Sequence, residues 1–212
     1  MFRTRVQFAL LLVAAVIVWL AAALPGTAGE VESLSPQKDI SEYWIPEAAP
    51  PDIWSVKDGV IICKGMPHGY IHTTKEYTNY IFKVEWRFNP EGAPPDPNSG
   101  VFLNVAKPYK LWPMCIEVQL MNREAGSIFP LEGAAVKDAV AHLKGKAKPL
   151  GEWNSYEITV KDGRVSLVFN GEKVNEGTDL EPRRGAVALQ SEGAEVHFRN
   201  ISIQDLDTHP TQ

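Results

Sequence analysis

The stretch from Tyr156 to Val174 restricts the fold more than any other part of the chain. Tyr156-Glu157-Ile158-Thr159-Val160 and Val165-Ser166-Leu167-Val168-Phe169 alternate apolar with polar residues, the period of half-buried strands. Asp162-Gly163 joins the two runs, and Asn170-Gly171 leads on to Lys173-Val174. Both dipeptides suit two-residue primed turns, which need positive φ at successive positions, so the segment reads as consecutive antiparallel hairpins. A third such turn, Asp58-Gly59, separates Trp54-Ser55-Val56 from Val60-Ile61-Ile62.

The rest of the chain extends this pattern. His68 to Thr73 reads as a short strand, and Tyr80 to Phe88 as a long one with Phe82, Val84, Trp86 and Phe88 on one face. Its other face carries Lys83, Glu85 and Arg87. Further strands are expected at Ser99–Val105, Met114–Met121, Gly126–Phe129, Gly185–Gln190 and Glu195–Ile203. Two segments read as loops, Pro90 to Asn98 and Ala106 to Pro113, the second carrying Tyr109 and Trp112. Val136, Val140 and Leu143 fall at helical spacing and predict one short helix. Sixteen Gly and sixteen Pro among 212 residues fit a turn-rich chain. About a dozen short strands without an internal repeat indicate an all-β sandwich rather than a propeller.

The N-terminus stands apart. Arg3 and Arg5 precede an apolar run from Phe8 to Leu24, followed by Pro25-Gly26-Thr27-Ala28. This is the pattern of an export signal over 1–28 cut after Ala28, and it predicts a periplasmic or extracellular protein. The run is also long enough to stay as an uncleaved anchor, the one route by which the chain would meet a membrane. Residues 29–52 form a Pro-rich lead-in that merges into the domain, and 207–212 a tail. Without Arg3 and Arg5 the net charge goes from −5 to −7, which gives no reason to expect nucleic acid as a partner. Cys63 and Cys115 are open to two readings, one disulfide or two small buried hydrophobes in separate strands.

Polar residues inside strands carry the functional signal. In Met114–Met121, Ile116, Val118 and Leu120 share one face, while Glu117 and Gln119 share the other. Glu is depleted from strand interiors, so Glu117 is either part of a solvated face or the floor of a polar groove. Glu85 and Arg87, Gln190, and His197 with Arg199 are also expected on outward faces. If neighbouring strands of one curved sheet supply them, they line a groove of carboxylates, amides and a guanidinium, rimmed by Asn98, Tyr109 and Trp112. Such a groove suits a saccharide, which has apolar C–H faces and a ring of hydroxyls.

Seven blocks in order strengthen this reading: Glu85-Trp86-Arg87, Asn98-Ser99-Gly100, Glu117-Val118-Gln119, Gly151-Glu152-Trp153-Asn154, Asn170-Gly171, Leu189-Gln190 and Phe198-Arg199-Asn200-Ile201. Over about 34–206 the chain resembles the 3-keto-disaccharide hydrolase domain family. The resemblance implies a concanavalin-like jelly roll of two antiparallel sheets, with saccharide on a concave face. It also implies an exported bacterial enzyme acting on glycosides oxidised to a ketone at C3. Two departures stand out. Glucanases of similar fold carry Glu-x-Asp-x-x-Glu on the corresponding strand, whereas Glu117 is followed by Gln119 and Asn122, so this strand lacks the second carboxyl of a retaining mechanism. Many family members have Asp-His-Gly where this chain has Ser191-Glu192-Gly193.

The resemblance implies that the ketone does part of the work. It acidifies the C2 hydrogen, so a base can start β-elimination of the C1–O bond, and water addition would complete a hydrolysis. On this reading Glu117 is the base, and Gln119 and Gln190 orient hydroxyls. Arg87 or a metal ion would stabilise the enolate, and Glu85, His68 and His142 are the candidate acids. Arg199, Asn200, Trp153 and Asn154 read as structural. The residues identify no cofactor, and metal dependence stays open: a divalent ion such as Ca²⁺ could sit at the oxygen-rich segments Asn89–Asn98 and Asp205–Asp207, which lack a ligand-spacing signature. The competing class is a non-catalytic, lectin-like carbohydrate-binding module, for which the same groove would serve.

Overall fold

A computed structural model describes residues 29–207; the expected export segment and residues 208–212 of the tail lie outside them. Fifteen strands, numbered in chain order, form two antiparallel sheets. The larger has the order β10 (Ala135–Lys137), β13 (Glu172–Glu181), β12 (Arg164–Phe169), β11 (Asn154–Lys161), β6 (Tyr80–Phe88), β15 (Val196–Asp205), β4 (Val60–Cys63) and β3 (Trp54–Lys57). The ninth strand, β1 (Val31–Ser33), pairs with β15. The smaller sheet has the order β2 (Trp44–Glu47), β5 (Gly69–Thr73), β14 (Ala186–Ser191), β7 (Gly100–Val105), β8 (Cys115–Gln119) and β9 (Ile128–Leu131).

The expected primed turns are present. φ is positive at Asp58 and Gly59, at Asp162 and Gly163, and at Asn170 and Gly171, which matches the twist of the hairpins they close. Between the sheets lies one core, to which β6 gives Phe82, Val84, Trp86 and Phe88 and the smaller sheet gives Ile71, Val101, Ile116, Val118, Val187 and Leu189. Trp86 meets Phe88 and Tyr156 edge-on at ring separations of 5.6 and 5.8 Å. Truncating such a ring to Ala removes about 3–5 kcal/mol of stability.

Two expectations change, and the open reading of the cysteines resolves to two buried residues in separate strands. The lead-in is structured: β1 and β2 come from it, and Trp44 is buried with its indole N–H donating to Leu34 O at 2.9 Å. No helix forms at 136–143. Ala135–Lys137 pairs with β13 instead, and Asn175 fixes Val140 through both its N–H and its C=O. Three apolar residues at helical spacing are too few to outweigh a strand edge and a buried amide. Cys63 and Cys115 are both free thiols, Cys63 facing the core from the larger sheet and Cys115 facing outward from the smaller.

The two sheets differ in one respect that positions the site. In β6 buried residues alternate with more exposed ones, whereas every residue of β5, β7, β8 and β14 is buried. The outward face of the smaller sheet is therefore covered. Tyr70, Phe102, Val105, Cys115, Ala186 and Ala188 form a second apolar cluster there, with Tyr109 and Leu131 packed against it.

Candidate functional site

The covered face of the smaller sheet also holds the buried polar residues. Strand register sets Phe129, Glu117, Phe102, Ala188 and His72 in one row across β9, β8, β7, β14 and β5. A second row brings Gln119 beside Gly100 and Gln190 beside Tyr70. Period-two alternation places Glu117 with Gln119, and Gln190 with Glu192, on this same face.

Glu117 is 3% exposed and Gln190 1% exposed. Glu117 Oε1 and Gln190 Oε1 are buried with no hydrogen-bond partner among the described residues. Both oxygens converge over Gly100, where a Cβ would stand 2.5 Å from Glu117 Oε1 and 2.9 Å from Gln190 Oε1. A side chain at position 100 would thus displace the carboxyl, and Gly leaves that space to the two oxygens. The orientation of Gln190 is fixed because its Nε2 donates to Glu192 Oε2 at 2.7 Å. Gln119 is fixed too: its Oε1 accepts from the backbone N–H groups of Leu120 and Met121, both at 2.9 Å, which leaves Nε2 to donate outward.

Flanked by Phe102 and Phe129, Glu117 is poorly solvated. Burial pushes its carboxyl up to about 8, and the Glu192 charge adds to the effect. Burial also raises the Glu192 carboxyl, against the opposing pull of His68 and the hydrogen bond from Gln190. His72 Nε2 is also buried and lies 3.8 Å from Glu47 Oε1, beyond hydrogen-bond distance. His72 Nδ1 donates to Thr73 O at 2.9 Å, and its ring packs on Tyr109 at 4.3 Å between centroids. Trp112 lies 5.9 Å from the His68 ring. Asn98 bridges through its backbone to Glu192 and Gly193, and its buried Oδ1 has no partner among the described residues.

Glu117, Gln119 and Gln190 thus come together, with Asn98, Tyr109 and Trp112 at their margin. Glu85 and Arg87 do not join them, which corrects the expectation of a single groove. They project from β6 on the outward face of the larger sheet, across the full thickness of the sandwich. There Glu85 accepts from Arg199 Nε at 2.7 Å and from Asn200 Nδ2 at 3.0 Å. Burial alone would raise the Glu85 carboxyl, but the hydrogen bonds from Asn200 and Arg199 and the Arg199 charge leave it below its usual value. The Arg87 and Arg199 guanidinium groups both lie over the Trp153 ring, 4.6 and 3.9 Å from its centroid. Alternation along a strand reports which face a residue takes, not which sheet the strand joins.

Of the other candidate acids, His142 is exposed and contacts Glu124 at 3.3 Å, whereas His68 lies beside Trp112 and bears electrostatically on Glu192. The oxygen-rich segments use their carboxylates internally: Asp96 pairs with Arg123 at 2.8 Å, and Asp207 accepts from Asn79 at 2.6 Å. Among the described residues no group of three or more His, Cys, Asp or Glu is placed to hold a metal ion. Glu192 is the residue that the sequence reading missed, although its i, i+2 relation to Gln190 was a usable signal.

Two antiparallel sheets packed face to face make this a concanavalin-like jelly roll, a fold it shares with glucanases and a carbohydrate-binding module. A lichenase from a mouse hindgut metagenome superposes with a TM-score of 0.54 at 12% identity, covering 85% of this chain and 100% of that one. The carbohydrate-binding module CBM66 of Bacillus subtilis does so with 0.58 at 10% identity, covering 76% of this chain and 95% of that one. Within that class, the chain belongs to the 3-keto-alpha-glucoside-1,2-lyase-like domain family, whose model matches residues 30–204. It is 26% identical to the 3-keto-disaccharide hydrolase of Bacteroides thetaiotaomicron, over 74% of this chain and 71% of that protein. A protein from Parabacteroides distasonis assigned as a glycosyl hydrolase shares 25% identity and a TM-score of 0.64, covering 84% of this chain and 94% of that one.

Proposed function

We propose that this chain is an exported enzyme that cleaves the glycosidic bond of 3-keto-glycosides in the groove over the smaller sheet, with Glu117 as the base. The carrying observation is the convergence of two buried, unpartnered oxygens, Glu117 Oε1 and Gln190 Oε1, over Gly100. Substrate class comes from the family and from the relative in Bacteroides thetaiotaomicron. An ionisable group held without a hydrogen-bond partner in an apolar row costs stability, and a carboxyl raised above its usual range is the kind of group that proton abstraction uses. This favours the enzyme over a lectin-like module of the same fold.

The chemistry follows from the donor and acceptor set. The Glu117 carboxylate removes the C2 hydrogen that the C3 ketone has acidified. Burial makes it a stronger base than an ordinary carboxylate, at the cost of ionising only near pH 8. Gln190 Oε1 accepts from a sugar hydroxyl. With Arg87 on the other sheet, the donors facing the enolate are Gln119 Nε2 and the Tyr70 hydroxyl, in a site with little water to screen them. Collapse of the enolate expels the C1 oxygen and leaves an enone, to which water adds.

The test is turnover of a 3-keto-glucoside by the wild-type protein and by Glu117→Gln. Loss of cleavage with retained folding is expected, whereas full activity in the variant removes Glu117 from the mechanism. Saturable binding with no turnover by the wild type would instead assign a binding module. As the free carboxyl must be ionised to act, kcat/KM on a 3-keto-glycoside whose leaving group needs no proton should rise with pH and level off above about 8; a fall over that range with such a substrate would make Glu117 an acid.

A further inference from the structure

The β8 strand supplies one carboxyl, but the polar cluster on this face contains two. Glu192 follows the end of β14, two residues after Gln190 and on the same face. One side chain connects it to Glu117: Gln190 donates from Nε2 to Glu192 Oε2 at 2.7 Å, and its Oε1 meets Glu117 Oε1 over Gly100. The carboxyls therefore lie one carboxamide apart. Their settings differ, since Glu117 is enclosed in the sheet whereas Glu192 is only half-buried. The backbone bridge to Asn98 holds Glu192 in place, and His68, packed against Trp112, faces it from the segment before β5. The ionisable groups that bear on it are therefore Glu117 from β8 and His68; Gln190 and Asn98 are neutral.

We propose that Glu192 is the proton donor to the departing glycosidic oxygen and then the base that activates water. The inference rests on the 3-keto-glycoside reading. Glu117 takes the C2 proton, and the C–H electron pair forms the enolate. When the ketone re-forms, the pair moves into a C1–C2 double bond, and the C1–O bond breaks with its electrons on oxygen. Glu192 protonates that oxygen and becomes a carboxylate. A water molecule then gives its proton to Glu192 and its hydroxide to C1, while Glu117 returns a proton to C2. Both carboxyls regain their starting states and the sum is hydrolysis. Half-burial raises the Glu192 carboxyl, the direction that favours its protonated form. Its place outside Glu117 also suits a group that meets the leaving alcohol rather than the ring.

Two leaving groups separate this role from others. Methyl 3-keto-glucoside releases a poor leaving group that needs a proton, whereas the 4-nitrophenyl analogue releases one that does not. Glu192→Gln and Glu192→Ala are expected to slow the methyl substrate by about 10²-fold or more, and the nitrophenyl substrate by less than tenfold. Glu117→Gln should slow both equally. Thermal melts close to that of the wild type establish that the variants fold, and agreement between the two variants guards against damage specific to one of them. Equal slowing of both substrates by the Glu192 variants, or no slowing of either, overturns the proposal. So does a leaving-group difference that His68→Gln reproduces and Glu192→Gln does not. A wild-type protein that cleaves neither substrate sinks the 3-keto reading itself.

Discussion

The two outward faces of this sandwich contain the same kinds of residue and treat them in opposite ways. On the larger sheet, Glu85 has two hydrogen-bond donors, Arg87 and Arg199 rest on Trp153, and Lys83 pairs with Glu157 at 2.8 Å. These polar groups satisfy one another. On the smaller sheet, Glu117 and Gln190 are more deeply buried, yet each keeps an oxygen with no partner among the described residues. The two glutamates accordingly shift in opposite directions, Glu85 below its usual range and Glu117 up to about 8. A paired surface glutamate contributes to the fold, whereas a buried unpaired one waits for a ligand.

The largest expected effect separates the faces by activity. Glu117→Gln should lower kcat on a 3-keto-glucoside by about 10²–10⁴-fold, whereas Arg87→Gln should leave it within about twofold, a range well under 1 kcal/mol in transition-state binding. Equal losses in steady-state assays would mean that the faces work together, contrary to this geometry. Gly100→Ala comes next. Its Cβ would push on Glu117 Oε1 at 2.5 Å, and a shift of this kind should cost about 10- to 100-fold in kcat/KM with little change in melting temperature.

Stability gives a further contrast. Below pH 4.5, Glu117 is protonated in both the folded and unfolded states, and its environment costs nothing. Between 4.5 and about 8 the unfolded chain releases a proton that the native state keeps, so native stability falls by roughly 1.4 kcal/mol per pH unit. Glu117→Gln removes that loss. Melting curves should show the variant and wild type coinciding at pH 4 and the variant melting progressively higher towards pH 8. The smallest effect belongs to the other face, where Glu85→Gln should cost about 1 kcal/mol or less by denaturant titration, because the Arg199 pair is partly solvated.

Much of the fold was legible from local pattern. Tyr80–Phe88 alternates without interruption and forms β6 as read, and the three Gly-containing turns close hairpins as expected. Glu117, Gln119 and Gln190 were legible as groove residues because each breaks an apolar strand on its outward side. What stayed hidden was long-range: Glu85 and Glu117 have the same alternation, and only strand pairing shows that β6 lies in one sheet and β8 in the other. Glu192 was obscured by its neighbours, since Ser191-Glu192-Gly193 looks like a turn after a strand. The covered outward face was also hard to infer, because the loop that brings Tyr109 and Trp112 over it is read as a loop wherever it folds.

The most direct test follows the C2 hydrogen. A 3-keto-glucoside carrying deuterium at C2 should be cleaved by the wild-type protein several times more slowly than its protium counterpart, because Glu117 must break that bond, and Glu117→Gln should cleave neither. Wild-type cleavage of the two at equal rates, with full cleavage by Glu117→Gln, would contradict deprotonation by Glu117 and with it the central claim.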